Sequence, residues 1–253
     1  MRHIGLTRLY LDDPYLREFD ADVTASAEEW CTLSRTAFHP GGGGQPHDRG
    51  RLTIRGRDVP VLEIREDDKG LIWHRAGLDL APGERVRGAI DWPFRYILMR
   101  HHALMHVVNT VAWRQFGGLI TGVQIGSDRS RIDFRLGDFG RERIGEFESH
   151  VNTTIDRELP ISSSIISEDE YRGRPDLVRT ANVLPPVVDG RVRIVTIEGF
   201  DAQACGGTHV HSTGEIGRAR ITKFDNKGRE NKRFYWEVAT PTKEAYGALH
   251  VPS

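Results

Sequence analysis

The sequence predicts an α+β fold in two parts. An N-terminal β-barrel-like domain is expected over residues 1–90, and an α+β domain with a central, largely antiparallel sheet over residues 91–253. Three observations lead there. Up to residue 90 the chain is rich in glycine and in short alternating segments, with little helical period. From Asp91 apolar residues recur three and four apart, the spacing of one helix face. Helical and strand patterns then mix without the regular strand–helix–strand order of a doubly wound sheet. The 253 residues suffice for a sizeable core, and 38% hydrophobic with 28% charged side chains fits a folded globular chain. A net charge of −1 excludes a protein that binds nucleic acid over its whole surface, while leaving room for a local basic strip.

In the first part, residues 34–38 lead into the loop HPGGGGQPHDRG. Residues 50–54 and 59–66 alternate as strands, Asp67 to Gly70 make a turn, and residues 71–75 return. The segment APGERVRGAID reads as a connection. Asp91 then caps a helix, with Pro93 where a missing N–H costs little. Phe94, Ile97, Leu98, His101, Met105, Val108 and Ala112 mark its inward face, and Gly117 and Gly118 end it. Residues 119–125 and 131–135 read as a hairpin. A second helix is expected over residues 138–159, with Ile144, Phe147, Val151 and Ile155 inward and Pro160 as its stop. Strands follow at 191–198, 216–224 and 234–238.

No stretch approaches the roughly 18 unbroken apolar residues of a membrane helix. Charges run through the first 23 residues, where a signal peptide needs an apolar middle. Two cysteines, Cys31 and Cys205, cannot build a disulfide framework, so a reducing cytoplasm is the expected location.

Two short motifs carry the chemistry. His102 and His106 lie four residues apart, one above the other on a helix face. Cys205 and His209 lie in CGGTH, where two glycines permit a tight turn between them. Three imidazoles and a thiolate are the donors zinc prefers in tetrahedral sites. Either spacing alone has a bland explanation in core histidines; the two together favour a metal. His101 points about 100° away from His102 and reads as packing or support. His211 is a weaker competing ligand. The run Gly41 to Gly44 followed by Gln45 allows close backbone approach to a ligand, but no Gly-Lys-Ser or Gly-Lys-Thr follows, so it is no nucleotide P-loop. Between Gly217 and Arg233, Arg218, Arg220, Lys223, Lys227, Arg229, Lys232 and Arg233 face only Asp225 and Glu230, a local +5. This strip reads equally as a solvated strand edge or as a groove for a phosphate backbone.

At this point the sequence resembles the freestanding alanyl-tRNA editing proteins called AlaX, of the medium-length class, related to the editing domain of alanyl-tRNA synthetase. The resemblance rests on TAFHPGGGGQPHDRG, RHHALMHVVN, RIDF, IEGFDAQACGGTHVHSTGEIG and KGRENKRFYWEV, in that order, and spans most of residues 30–240. It departs at His39, where a tyrosine is usual before the proline, and at ALM before the second histidine.

The resemblance implies a hydrolase acting on an aminoacyl-tRNA ester, with mischarged alanine tRNA as partner, serine or glycine as the amino acid removed, and no nucleotide cofactor in the deacylation step. It implies one Zn²⁺ on His102, His106, Cys205 and His209 at the catalytic centre. Thr121 is the first candidate to recognise the serine hydroxyl and Thr36 the second. Gly42, Gly43, Gly44 and Gln45 are expected to form a pocket wall, and Arg218, Arg220, Lys223, Lys227, Lys232 and Arg233 to contact tRNA. Two other readings stay open: a deacylase of seryl threonine tRNA, and a non-catalytic, zinc-stabilised RNA-binding module.

Overall fold

In a computed structural model, which describes residues 6–174, 177, 187–188 and 190–239, the chain is a mixed α+β protein. Its first part contains β1 (Thr7–Arg8), the short helix α1 (Leu9–Asp12), β2 (Glu18–Ala27), β3 (Trp30–Leu33), β4 (Arg35–Thr36), β5 (Gly50–Ile54), β6 (Arg57–Val61), β7 (Glu63–Glu66), β8 (Ile72–Arg75) and β9 (Arg85–Ile90). Seven of these strands pair antiparallel in the order β6-β5-β9-β2-β3-β8-β7. The edge strands β6 and β7 are separated in the chain by Leu62 alone, so the sheet curls until its edges approach. Alternation along β2 sends Phe19, Ala21 and Val23 into the curl and Glu18, Asp20 and Asp22 outward. With Leu33, Leu52, Ile64, Ile72 and Val86 they form a core of their own.

Two expectations are corrected in this part. Residues 59–66 are not one strand: the chain turns at Leu62, and its halves pair with β5 at one edge and β8 at the other. The segment APGERVRGAID is not a connection, because Arg85–Ile90 is β9, paired on both sides. Gly88 hides it from an apolar pattern, and a side chain there would strike the ring of Phe19.

The second part holds α2 (Trp92–Phe116), β10 (Leu119–Gln124), β11 (Ser130–Arg135), α3 (Ile144–Ile155), β12 (Ile161–Ser167), α4 (Glu168–Arg172), β13 (Arg191–Ile197), β14 (Asp201–Ala204), β15 (Ala219–Asn226) and β16 (Asn231–Val238). α2 begins and ends where its sequence dictates. The Asp91 carboxylate accepts from the Phe94 N–H at 3.3 Å, and Gly117 closes the helix at φ 67. α3 is shorter than expected. A 3₁₀ turn at Arg141–Arg143 precedes it, and Glu158, at φ 50, turns the chain before Pro160. The sheet β10-β11-β16-β15 packs Ile132, Phe134, Phe234 and Trp236 against α2 and α3 in a second core. A third sheet, β12-β13-β14, includes two strands the sequence did not announce; β12 reads ISSSIIS, too polar to stand out.

Two fastenings, one buried and one part-buried, hold the first part against α2. Arg95 donates from Nε to Asp48 Oδ1 at 2.8 Å, from Nη2 to Asp48 Oδ2 and to the Ala37 carbonyl, and from Nη1 to the Pro14 carbonyl. Both side chains of this ion pair are fully buried. Tyr15 and Tyr96 both donate to Glu215 Oε2, at 2.6 and 3.1 Å.

Candidate active site and metal centre

α2 is buried on nearly every side, and its polar residues are therefore committed. His102 and His106 stand one turn apart and face the segment after β14, which carries Cys205 and His209. The four donor atoms lie within 4.8 Å of one another. Cys205 Sγ is 3.4 Å from His102 Nε2 and 3.6 Å from His209 Nε2, and His209 Nε2 is 3.1 Å from His106 Nε2. Around a four-coordinate zinc, donors sit about 3.3 Å apart for two nitrogens and about 3.6 Å for nitrogen and sulfur, as Zn–N near 2.0–2.1 Å and Zn–S near 2.3 Å require. Three donor pairs stand near this spacing and all four donors lie within 4.8 Å, so the cluster could hold a metal ion.

Protonation agrees with this. Burial holds the pKa of all three imidazoles below the ordinary histidine value, that of His106 at about 4, so they present neutral lone pairs. Burial also pushes the Cys205 thiol up, against the Gly207 N–H and Arg193, which favour the thiolate. A metal entering at neutral pH thus displaces one proton, from Cys205.

The glycine-rich loop supplies the surrounding shell. Gln45 Oε1 faces His102 Nδ1 at 2.7 Å and accepts from the Thr208 N–H at 3.2 Å, while Gln45 Nε2 donates to Thr208 Oγ1 at 2.9 Å. With His102 donating from Nδ1, its Nε2 is the free lone pair toward the cluster. Gly42 and Gln45 exchange both backbone hydrogen bonds at 3.0 Å, and Gly41 to Gly44 all take positive φ. Two glycines are compulsory for close approach: a Cβ on Gly207 would collide with the His102 ring, and one on Gly44 would meet the Val123 carbonyl. His39 lies on the cavity rim: its Nδ1 accepts from the Gly41 N–H at 3.1 Å, and its ring packs edge-on against Tyr10.

The cluster opens on a cavity of about 1230 Å³. The glycine-rich loop, β10, β13 and β14 supply much of its wall, and Thr121 stands on it. Thr36 does not. It is fully buried, its hydroxyl is 3.0 Å from His74 Nε2, and it accepts from the Phe38 N–H at 3.1 Å, so it belongs to the β core. His101 is a core histidine, with Nδ1 3.0 Å from Ser130 Oγ on β11. His211 is no ligand either; it is exposed and stacks on Tyr15.

The basic strip is corrected in part. Lys232 is buried, and its Nζ donates to Asn226 Oδ1 and the carbonyls of Gly228 and Arg229, fastening the β15–β16 turn. Arg233 makes a two-pronged pair with Asp133. Arg220 pairs with Glu237 and Lys223 with Asp225 on the exposed face. Arg218, Lys227 and Arg229 are exposed and make no side-chain pair among the described residues. Sequence reasoning missed Asp48, Arg95, Arg193 and Thr208, as well as Asn109, whose Nδ2 donates to Gln203 Oε1 at 2.9 Å in the cavity wall. Asn109 continues the His102–His106 face at i+7, the one signal that was available.

Fold and site together define a mixed α+β protein with a His₃Cys cluster that could hold a metal ion, in a cleft walled by a glycine-rich loop. Residues 192–235 match the family described as the threonyl and alanyl tRNA synthetase second additional domain. The chain is 40% identical to the alanyl-tRNA editing protein AlaX-M of Methanosarcina acetivorans, over 91% of this chain and 98% of that one. It is 36% identical to the AlaX-M protein of Saccharolobus solfataricus over the same shares. Similarity to the alanine–tRNA ligase of Korarchaeum cryptofilum, at 39%, covers 84% of this chain but 24% of the ligase. The chain belongs to the AlaX-M family of alanyl-tRNA editing proteins.

Proposed function

We propose that the protein is a trans-editing deacylase that hydrolyses the ester joining serine, and also glycine, to alanine tRNA. The observation that carries this reading is the four-donor cluster opening on a large cavity beside the glycine-rich loop, in a chain of this family. The physical need is plain: a synthetase pocket for alanine cannot strongly exclude glycine or an amino acid that merely adds a hydroxyl, so a second hydrolytic site makes its own selection.

Zinc is the metal that three imidazoles and a thiolate favour, and His102, His106, Cys205 and His209 would hold it. Bound there, it supplies Lewis acidity toward the ester or its attacking water. Gln45 fixes the orientation of His102 and is itself held by Thr208. Gly42, Gly43 and Gly44 offer a wall without side chains, suited to close approach of the terminal ribose. The Thr121 hydroxyl selects serine by hydrogen bonding. Thr121 is exposed in the open cavity, so the selection requires the bound substrate to cover it; with alanine the covered hydroxyl is left unpaired, at about 1–3 kcal/mol, or five- to 150-fold in preference. Arg218, Lys227 and Arg229 remain as outer contacts for tRNA.

The division into residues 1–90, with the glycine-rich loop, and 91–253, with the metal centre on an α+β frame, is supported by two separate cores. A tRNA substrate supports a cytoplasmic location; no helix among the described residues is long and apolar enough to cross a membrane.

The test is deacylation of alanine tRNA charged with serine, glycine or alanine, with seryl threonine tRNA alongside. Loss of serine or glycine with alanine spared is expected. Turnover of the threonine tRNA alone would reassign the substrate. Four protein donors also suit a structural zinc; stoichiometric metal and RNA binding without turnover would make the protein a binding module.

A further inference from the structure

On β13, Arg191 and Arg193 are two residues apart and share one face, while Val192 and Ile194 pack into the core behind. Both arginines line the same cavity as His102, His106 and Cys205. Arg193 is half-buried. Its Nη1 donates to the carbonyls of Cys205 and Gly207, each at 3.0 Å, and its Nε is buried without a partner. No carboxylate among the described residues pairs with Arg191 or Arg193. The third arginine of the cavity differs: Arg8 is matched by Glu66 through two hydrogen bonds of 2.9 and 2.6 Å. Glu66 is also the one carboxylate among the described lining residues, and it is taken up by Arg8; Arg191 is exposed, and Asp12 acts on Arg193 without pairing with it among the described residues.

A half-buried guanidinium with a buried, unpartnered Nε–H and no paired carboxylate among the described residues is a ready site for an anion brought by the ligand. The deacylase reading supplies one: the nucleotide bearing the ester is joined to the rest of the tRNA by a phosphodiester. We infer that Arg193 holds this last phosphodiester and Arg191 the one before it, so that β13 rather than the 217–233 strip guides the single-stranded 3′ end into the site. The inference rests on the deacylase reading. Same-face residues on a strand lie about 6.6 Å apart, a reach suited to consecutive phosphates of an extended strand, and charged grooves of this kind track single-stranded backbones. Arg193 is a positioning residue: its bonds to the carbonyls on either side of Gly206 fix the bound phosphate relative to the metal ligands.

The test compares the wild type with Arg193→Met, Arg193→Lys and Arg191→Met on two substrates, seryl alanine tRNA and 3′-O-seryl adenosine. The second keeps ester and nucleoside but has no phosphate. The ratio of kcat/KM for tRNA over nucleoside is expected to fall about tenfold or more in Arg193→Met, through KM, as loss of a charged hydrogen bond requires. It should fall less in Arg191→Met and recover largely in Arg193→Lys, with bound metal unchanged. Binding of a short single-stranded RNA of the same 3′ sequence should lose about 0.7 of salt slope for each arginine removed. Equal losses on both substrates, loss of metal in Arg193→Met, or unchanged salt slopes in both methionine variants would overturn the assignment. Turnover of neither substrate by the wild type would instead overturn the deacylase reading, and the RNA salt slopes would still decide the phosphate contacts.

Discussion

His101 and His102 are chain neighbours on one buried helix, and they do different work. His101 turns to β11 and meets a single hydroxyl, that of Ser130. His74, in the curled sheet, does the same with Thr36. Each fills core volume, and burial holds each near pKa 4, so both are neutral. His102, His106 and His209 are equally buried and equally neutral, but their Nε2 atoms turn toward Cys205 Sγ or one another. Burial and protonation therefore do not separate a metal ligand from a core histidine. Convergence of lone pairs does, and an outer partner such as Gln45 sets it by fixing the opposite ring nitrogen.

The sharpest break of this comparison removes a convergent donor. Cys205→Ala or His106→Ala should lose the metal and abolish deacylation, whereas His74→Leu should keep stoichiometric metal; elemental analysis of the purified variants reads the contrast. Next in size, Arg95→Met strands the Asp48 carboxylate in a fully buried site and should cost about 3–5 kcal/mol in urea unfolding. Acid should act on buried histidines outside the cluster, one at the cavity rim and one in the β core. His39 and His74, both held near 4 against about 6.5 unfolded, contribute stability that is complete above pH 6.5 and is lost as pH falls toward 4. The loss is up to about 3 kcal/mol for each, measured as urea midpoints across that window. Gln45→Leu should weaken metal binding about 10- to 100-fold in a competition titration with a chelator, with the fold intact. Smallest, His101→Leu should cost about 1–2 kcal/mol and leave metal affinity unchanged.

What could be read in advance follows the same division. α2 was legible because its cap, stripe and terminal glycine are local, and so was the ligand set, whose two pairs each lie within five residues. β9 was missed because Gly88 breaks its alternation for the sake of Phe19, and β12 because three consecutive serines mask a paired strand. The basic strip misled because its counter-charges are partly remote: Asp133, which neutralises Arg233, lies 100 residues away. Arg193 was invisible for a related reason. In RVRIVTIE it occupies a polar position of period two, and a period cannot tell solvent from a cavity.

On the deacylase reading, the convergent cluster is the hydrolytic centre for mischarged alanine tRNA. The most direct test is serine release from seryl alanine tRNA by one preparation as purified, after chelator treatment, and after addition of one equivalent of zinc. Activity, its loss, and its return are expected in turn, with alanyl-tRNA spared throughout. Full activity in the metal-free protein would contradict that reading.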